Sequence, residues 1–184
     1  MRNSAFFAPL GPVMGGIALG AIAVGASGMA APGVALAEPS QSQRAPEITV
    51  SIGGDLTEQV PKLGERDVQR QSDELADAVR TALSRSGALA GAQVHLVLTD
   101  LKPNRPTFQQ AVDKPGLSIF DSISIGGATI EGEVITADGE RLPVRYSRYS
   151  SSIEDVYGYD TWQDASRAYD RLADNLAEGR LVSR

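Results

Sequence analysis

The chain has 184 residues, a formal net charge of −6 and no cysteine. An acidic chain lacks the clustered lysine and arginine that a phosphate backbone requires, so neither nucleic acid nor an anionic membrane surface is expected as a partner. Without cysteine there is no disulfide, no thiolate metal site and no lipidated amino terminus. With His95 as the single histidine, no conventional zinc or transition-metal cluster can be assembled.

From Asn3 to Ala37 there is no charged residue and no histidine. The apolar run 16–24 is followed by Ala35-Leu36-Ala37 and then Glu38-Pro39, the small-x-small pattern a signal peptidase accepts. A cleavable signal peptide is expected over 1–37, cut between Ala37 and Glu38. The domain is then periplasmic or secreted, with no membrane insertion after cleavage. The alternative is an uncut amino-terminal anchor in the inner membrane. The Gly/Ala-rich composition and the missing basic flank weigh against it. Residues 38–47 are polar and read as a flexible spacer, leaving 48–184 as a single α/β domain.

Ile48 to Ile52 alternates apolar and polar residues and predicts a half-buried strand, ended by Gly53-Gly54. Residues 55–66 have no clean period. Pro61 and Gly64 favour an ordered loop there, although Leu56, Val60 and Leu63 have helical spacing. From about Asp67 the period becomes helical, with Val68, Leu75, Val79 and Leu83 on one face and Gly87 as the stop. A second strand is predicted over 93–99, with Val94, Leu96 and Leu98 on one face. Val97 on the other face suggests a central strand covered on both sides. Residues 100–116 are expected to be loop.

Over 117–136 the apolar residues occupy odd positions as far as Ile125 and even positions from Ala128. A long strand broken by a β-bulge or sharp bend at Gly126-Gly127 accounts for the change of parity. At Asp138-Gly139, a three-residue loop (137–139) pairs Val134 with Leu142, Gly132 with Val144 and Ile130 with Tyr146. It also sets Glu131 opposite Arg145. After a polar loop over 150–160, Thr161 is expected to cap the amide of Asp164. A helix follows with the stripe Trp162, Ala165, Tyr169, Leu172 and Leu176, ending at Gly179. The fold class is α+β: one antiparallel or mixed sheet of about four strands with two helices packed on it, in the order strand-helix-strand-strand-strand-helix.

No catalytic residue, metal ligand or cofactor is assigned from the sequence. His95 lies on a strand, pointing opposite to Val94 and Leu96, and reads as structural. There is no Gly-x-Ser-x-Gly elbow, and Ser122 and Ser124 fall inside the expected strand. Glu154, Asp155 and Asp160 share one loop. Solvation explains them, and a carboxylate pair for cell-wall cleavage is the alternative. Arg145, Arg148, Tyr149, Tyr157 and Tyr159 form the expected recognition surface, because arginine and tyrosine join apolar area to a polar handle. Tyr146 and Trp162 fit either that surface or the core.

Through Gly126-Gly127-Ala128, the Asp138-Gly139 hairpin and the helix opening Thr161-Trp162-Gln163-Asp164-Ala165, the domain resembles small envelope domains of Gram-negative bacteria of unknown function. Their layout is similar to the amino-terminal domain of TolB and to the lipoprotein activators of cell-wall synthases. The resemblance covers about 48–179 and implies an α/β domain in the envelope. Most such relatives are lipoproteins, and this chain lacks the cysteine that lipidation requires. The expected function is a non-catalytic secreted or periplasmic domain that binds an envelope protein or assists assembly. A small cell-wall-directed hydrolase using carboxylates or His95 is the alternative.

Overall fold

The computed structural model describes residues 44–156 and 160–181. The expected leader with its Ala37–Glu38 cut, most of the spacer, Tyr157 and Tyr159 lie outside the described residues. Strand β1 (Glu47–Ile52) runs parallel to β2 (Gln93–Lys102), and β3 (Gly127–Ile135) and β4 (Arg141–Tyr149) extend the sheet antiparallel, in the order β1-β2-β3-β4. The sheet is mixed because the link between β1 and β2 carries helices, whereas β3 and β4 are joined by a tight turn.

Alternation along each strand produces one buried and one open face. Val94, Leu96 and Leu98 of β2 are buried with Ile130 and Val134 of β3 and Val144 and Tyr146 of β4. Helices α2 (Glu65–Ser86) and α4 (Gln163–Ala177) cover this face and pack against each other. They contribute Leu75, Val79 and Leu83 from one stripe and Ala165, Tyr169, Leu172 and Leu176 from the other. Each fully buried large side chain is worth about 1.5–3 kcal/mol of apolar transfer, so the paired stripes and the sheet face supply the main cohesion. Tyr146 and Trp162 belong to this core. The helices end at Gly87 and Gly179, as the sequence predicts.

The hairpin has the predicted register. Val134 faces Leu142, Gly132 faces Val144, Ile130 faces Tyr146 and Glu131 faces Arg145. Thr136 N–H donates to Glu140 O at 2.9 Å, and Gly139 N–H donates to Thr136 O at 2.9 Å, closing the loop around 137–139. Gly139 has φ 86°, the left-handed geometry this turn demands.

Four expectations need correction. Among the described residues the layout has four α-helices, not two. Leu56–Leu63 is a helix, α1, and not a loop, because Leu56 and Leu63 enter the core. Pro61 is tolerated because it and Thr57 are exposed, leaving the freed carbonyl open to water. A second short helix, α3 (Phe108–Asp113), interrupts the expected loop. It is nucleated by a capping box in which Thr107 Oγ1 accepts from Gln110 N–H and Gln110 Oε1 accepts from Thr107 N–H.

Strand β2 is central but covered on one face only, with His95 and Val97 half-buried on the open side. It also runs to Lys102, with its register shift between Leu98 and Asp100.

Third, residues 117–126 are not strand; β3 begins at Gly127. Gly127 already pairs with Lys102, the last residue of β2, and Pro103 follows. Earlier residues therefore have no neighbouring strand among the described residues, and Ser122 and Ser124 lie outside the sheet. Fourth, Thr161 does not cap α4 with its side chain. Asn104 takes that role from a distance, as described below. Among the described residues no helix is long and apolar enough to cross a membrane.

Candidate functional site

The segment 103–126 leaves the sheet at the end of β2 and returns at the start of β3. Its prolines at 103 and 106 carry no amide hydrogen, so a ladder cannot continue through them. Asn104 anchors it. Its main-chain N–H donates to Thr161 O at 2.7 Å, and its carbonyl accepts from Ser124 N–H at 2.8 Å. Its side-chain Oδ1 accepts from Asp164 N–H at 2.9 Å, while Nδ2 donates to Asp164 Oδ2. Asn104 thereby satisfies an orphan amide in the first turn of α4, the service expected of Thr161.

Asp164 is itself buried. Its carboxylate accepts from Ser150 Oγ as well, and Arg167 pairs with its other oxygen at 3.2 Å. Gly126 lets the chain pass. A Cβ there would stand 2.5 Å from the Asn104 side chain, so a larger residue would push the Asn104 amide out of the clamp. The Gly126-Gly127 pair marks this close approach and the entry to β3, and is not a bulge within a longer strand. Arg105 adds a further tie by donating to the carbonyls of Ile119 and Phe120.

Held this way, the segment has no core beneath its apolar side chains. Seven large hydrophobic residues are exposed among the described residues, and six of them are Phe108, Val112, Ile119, Phe120, Ile123 and Ile125. Phe108 and Phe120 are 76% and 74% exposed, far above the ordinary scatter of surface apolar residues. Two of the clefts beside this segment adjoin one another. The larger, of about 770 Å³, lies between the end of β2, α3 and the 122–125 stretch, with Leu117, Ile123 and Ile125 among its lining. The smaller, of about 340 Å³, holds Phe108, Ile119, Phe120 and Trp162, and shares Arg105 and Pro106 with the first.

The residues expected to form one recognition surface are divided between the faces of β4. Arg145 is exposed on the open face and pairs with Glu131 at 3.3 Å. Tyr149 shares that face but is tied down. Its hydroxyl donates to Asp100 Oδ2 at 2.7 Å and lies 2.8 Å from Thr129 Oγ1. Burial, reinforced by the Asp100 carboxylate, pushes the Tyr149 hydroxyl well above the usual phenol range, so it stays protonated. Arg148 has the opposite parity to both and lies beside Arg167 and Asp164 in a small polar cleft.

His95 stands on the open face between Thr49 and Glu133 of the adjoining strands. Glu154, Asp155 and Asp160 belong to the loop after β4, on which Asp155 accepts from Ser151 and Ser152 hydroxyls. Those two bonds hold the Asp155 carboxyl below its ordinary value. Among the described residues no group of three histidine, aspartate or glutamate side chains is placed to hold a metal ion.

The exposed face was not foreseen from the sequence, although two signals for it are present. Thr-x-x-Gln at 107–110 announces a helix start, and the alternation over 117–125 lacks any adjacent strand-length partner before it. No family model matches the chain, and no curated protein matches it either.

Proposed function

We propose that this domain is a non-catalytic binding or assembly accessory of the cell envelope, periplasmic or secreted, which docks a protein partner through the 103–126 face. The single observation that carries this reading is the concentration of exposed large apolar residues there. A cluster of large apolar side chains on a hydrogen-bonded segment is costly to leave in water, and its burial against a partner recovers that cost. The clamp through Asn104 matters as much as the exposure. A preordered face loses less conformational entropy on association than a floppy one. The envelope location rests on the leader pattern at 1–37 and on the resemblance to envelope domains.

The test is photocrosslinking in living cells of the native host with a photoreactive amino acid at position 120 and, in parallel, at position 145. A discrete adduct with an envelope protein at position 120, absent or weak at position 145, is expected. No adduct at position 120, or equal labelling from both positions, would overturn the assignment of the docking face.

A further inference from the structure

The whole chain contains three lysines, Lys62, Lys102 and Lys114. All three line the larger cleft, although they come from α1, the end of β2 and the residue after α3. Arg105 joins them, and Asp113 is the one acidic side chain on the lining. On a chain of net charge −6 this gathers positive charge around an apolar floor. Lys102 is partly engaged, with Nζ 3.9 Å from Asp100 Oδ2 and 5.0 Å from the centroid of the Tyr149 ring. Lys62 and Lys114 are exposed and make no ion pair among the described residues, so their charge is offered to whatever enters.

The second cleft continues the same surface across Arg105 and Pro106. Trp162 lines it, and the buried indole Nε1–H of Trp162 has no acceptor among the described residues. Likewise, the main-chain amides of Ile123 and Ile125 make no backbone hydrogen bond among the described residues. The Ile123 and Ile125 amides, on exposed residues, are donors that an extended main chain satisfies, whereas the Trp162 Nε1–H is enclosed by protein and is not offered to it.

We propose that the two clefts together receive an extended, acidic and apolar-rich peptide segment of the partner, an inference that rests on the docking function above. Large apolar side chains of that segment seat in the two clefts, and its carboxylates face Lys62 and Lys114. Charge complementarity selects acidic over basic segments, because a lysine brought to this rim meets the like charges of Lys62, Lys102 and Lys114. The linked pair of clefts favours a peptide over a single-chain amphiphile, which fills one cleft and makes no use of the other.

A phage-displayed random dodecapeptide library, panned on the protein produced from the full chain, tests this directly. Enriched sequences are expected to combine aspartate or glutamate with leucine, phenylalanine or similar residues. A labelled peptide from that pool should bind the Lys62→Glu/Lys114→Glu protein at least about tenfold more weakly, and more weakly as salt is raised. Both lysines are exposed, so the fold is expected to persist, with circular dichroism as the check. Lys62→Gln/Lys114→Gln serves if the reversal proves too disruptive.

Failure to enrich any peptide, enrichment of basic or uncharged sequences, or unchanged affinity in the double variant would each sink the proposal. So would displacement of the peptide by dodecanoate, a single-chain carboxylate, at equal concentration. If crosslinking at position 120 succeeds while panning fails, the docking face stands and the acidic-peptide assignment falls. If crosslinking fails as well, the docking function falls with it.

Discussion

The β3–β4 hairpin and the 103–126 excursion are built from similar material, and they end in opposite conditions. Ile130, Val134, Val144 and Tyr146 alternate along the hairpin and are buried under α4. Ile119, Ile123 and Ile125 alternate along the excursion with the same period and remain partly in water. Hydrophobicity alone does not separate the two. The hairpin has a ladder partner on each side of β3 and a helix to cover one face. The excursion begins at Pro103, where the β2 ladder ends, and meets neither. Alternation is therefore a statement about a strand only where a neighbour and a covering layer exist. Elsewhere the same residues become surface.

The largest test of this contrast is truncation of one isoleucine in each region. Ile130→Ala should cost about 2–5 kcal/mol in urea unfolding, whereas Ile123→Ala should change stability by less than about 0.5 kcal/mol. Comparable losses at the two sites would mean that the excursion is covered after all.

Next in size is Asn104→Ala, expected to cost about 1–3 kcal/mol by stranding the buried Asp164 carboxylate and amide. Hydrogen exchange should then accelerate at the Ser124 amide while the hairpin amides stay protected. Uniform acceleration would show that the two regions do not open separately.

Gly139→Ala comes third, at about 1 kcal/mol, because it places a Cβ at positive φ in the loop that sets the hairpin register. Thermal unfolding reads it, and a neutral result would remove the turn from the causes of that register. Smallest is Arg145→Gln. Its pair with Glu131 is exposed, so about 0.2–1 kcal/mol is expected, shrinking in high salt. An unchanged loss at high salt would point to packing and not to charge.

What the sequence made legible divides along the same line. The hairpin register followed from parity, since a one-residue slip would place Leu142 and Val144 on the wrong face. The helical stripes of α2 and α4 were equally local and equally readable. Helix α1 was obscured by Pro61, whose missing amide matters little on an exposed turn.

Asn104 was unreadable in its role. In the stretch Pro103-Asn104-Arg105-Pro106 it looks like a turn residue, and its partner Asp164 is 60 positions away. The candidate face was hidden for a related reason. Counting three lysines is simple, but their convergence depends on how α1, β2 and α3 meet at one end of the sheet. Arg145 and Tyr149 stood out by residue type, yet type does not reveal that Tyr149 is already committed to Asp100 and Thr129.

The Asn104 clamp also makes the excursion depend on α4. It joins residues 60 positions apart, a loop whose closure entropy is lowered when the intervening hairpin and helices bring its ends together. The clefts around Arg105 acquire their shape only when the first turn of α4 has docked. A partner that reads this face, as proposed, would therefore favour chains in which α4 has docked over chains still collapsing.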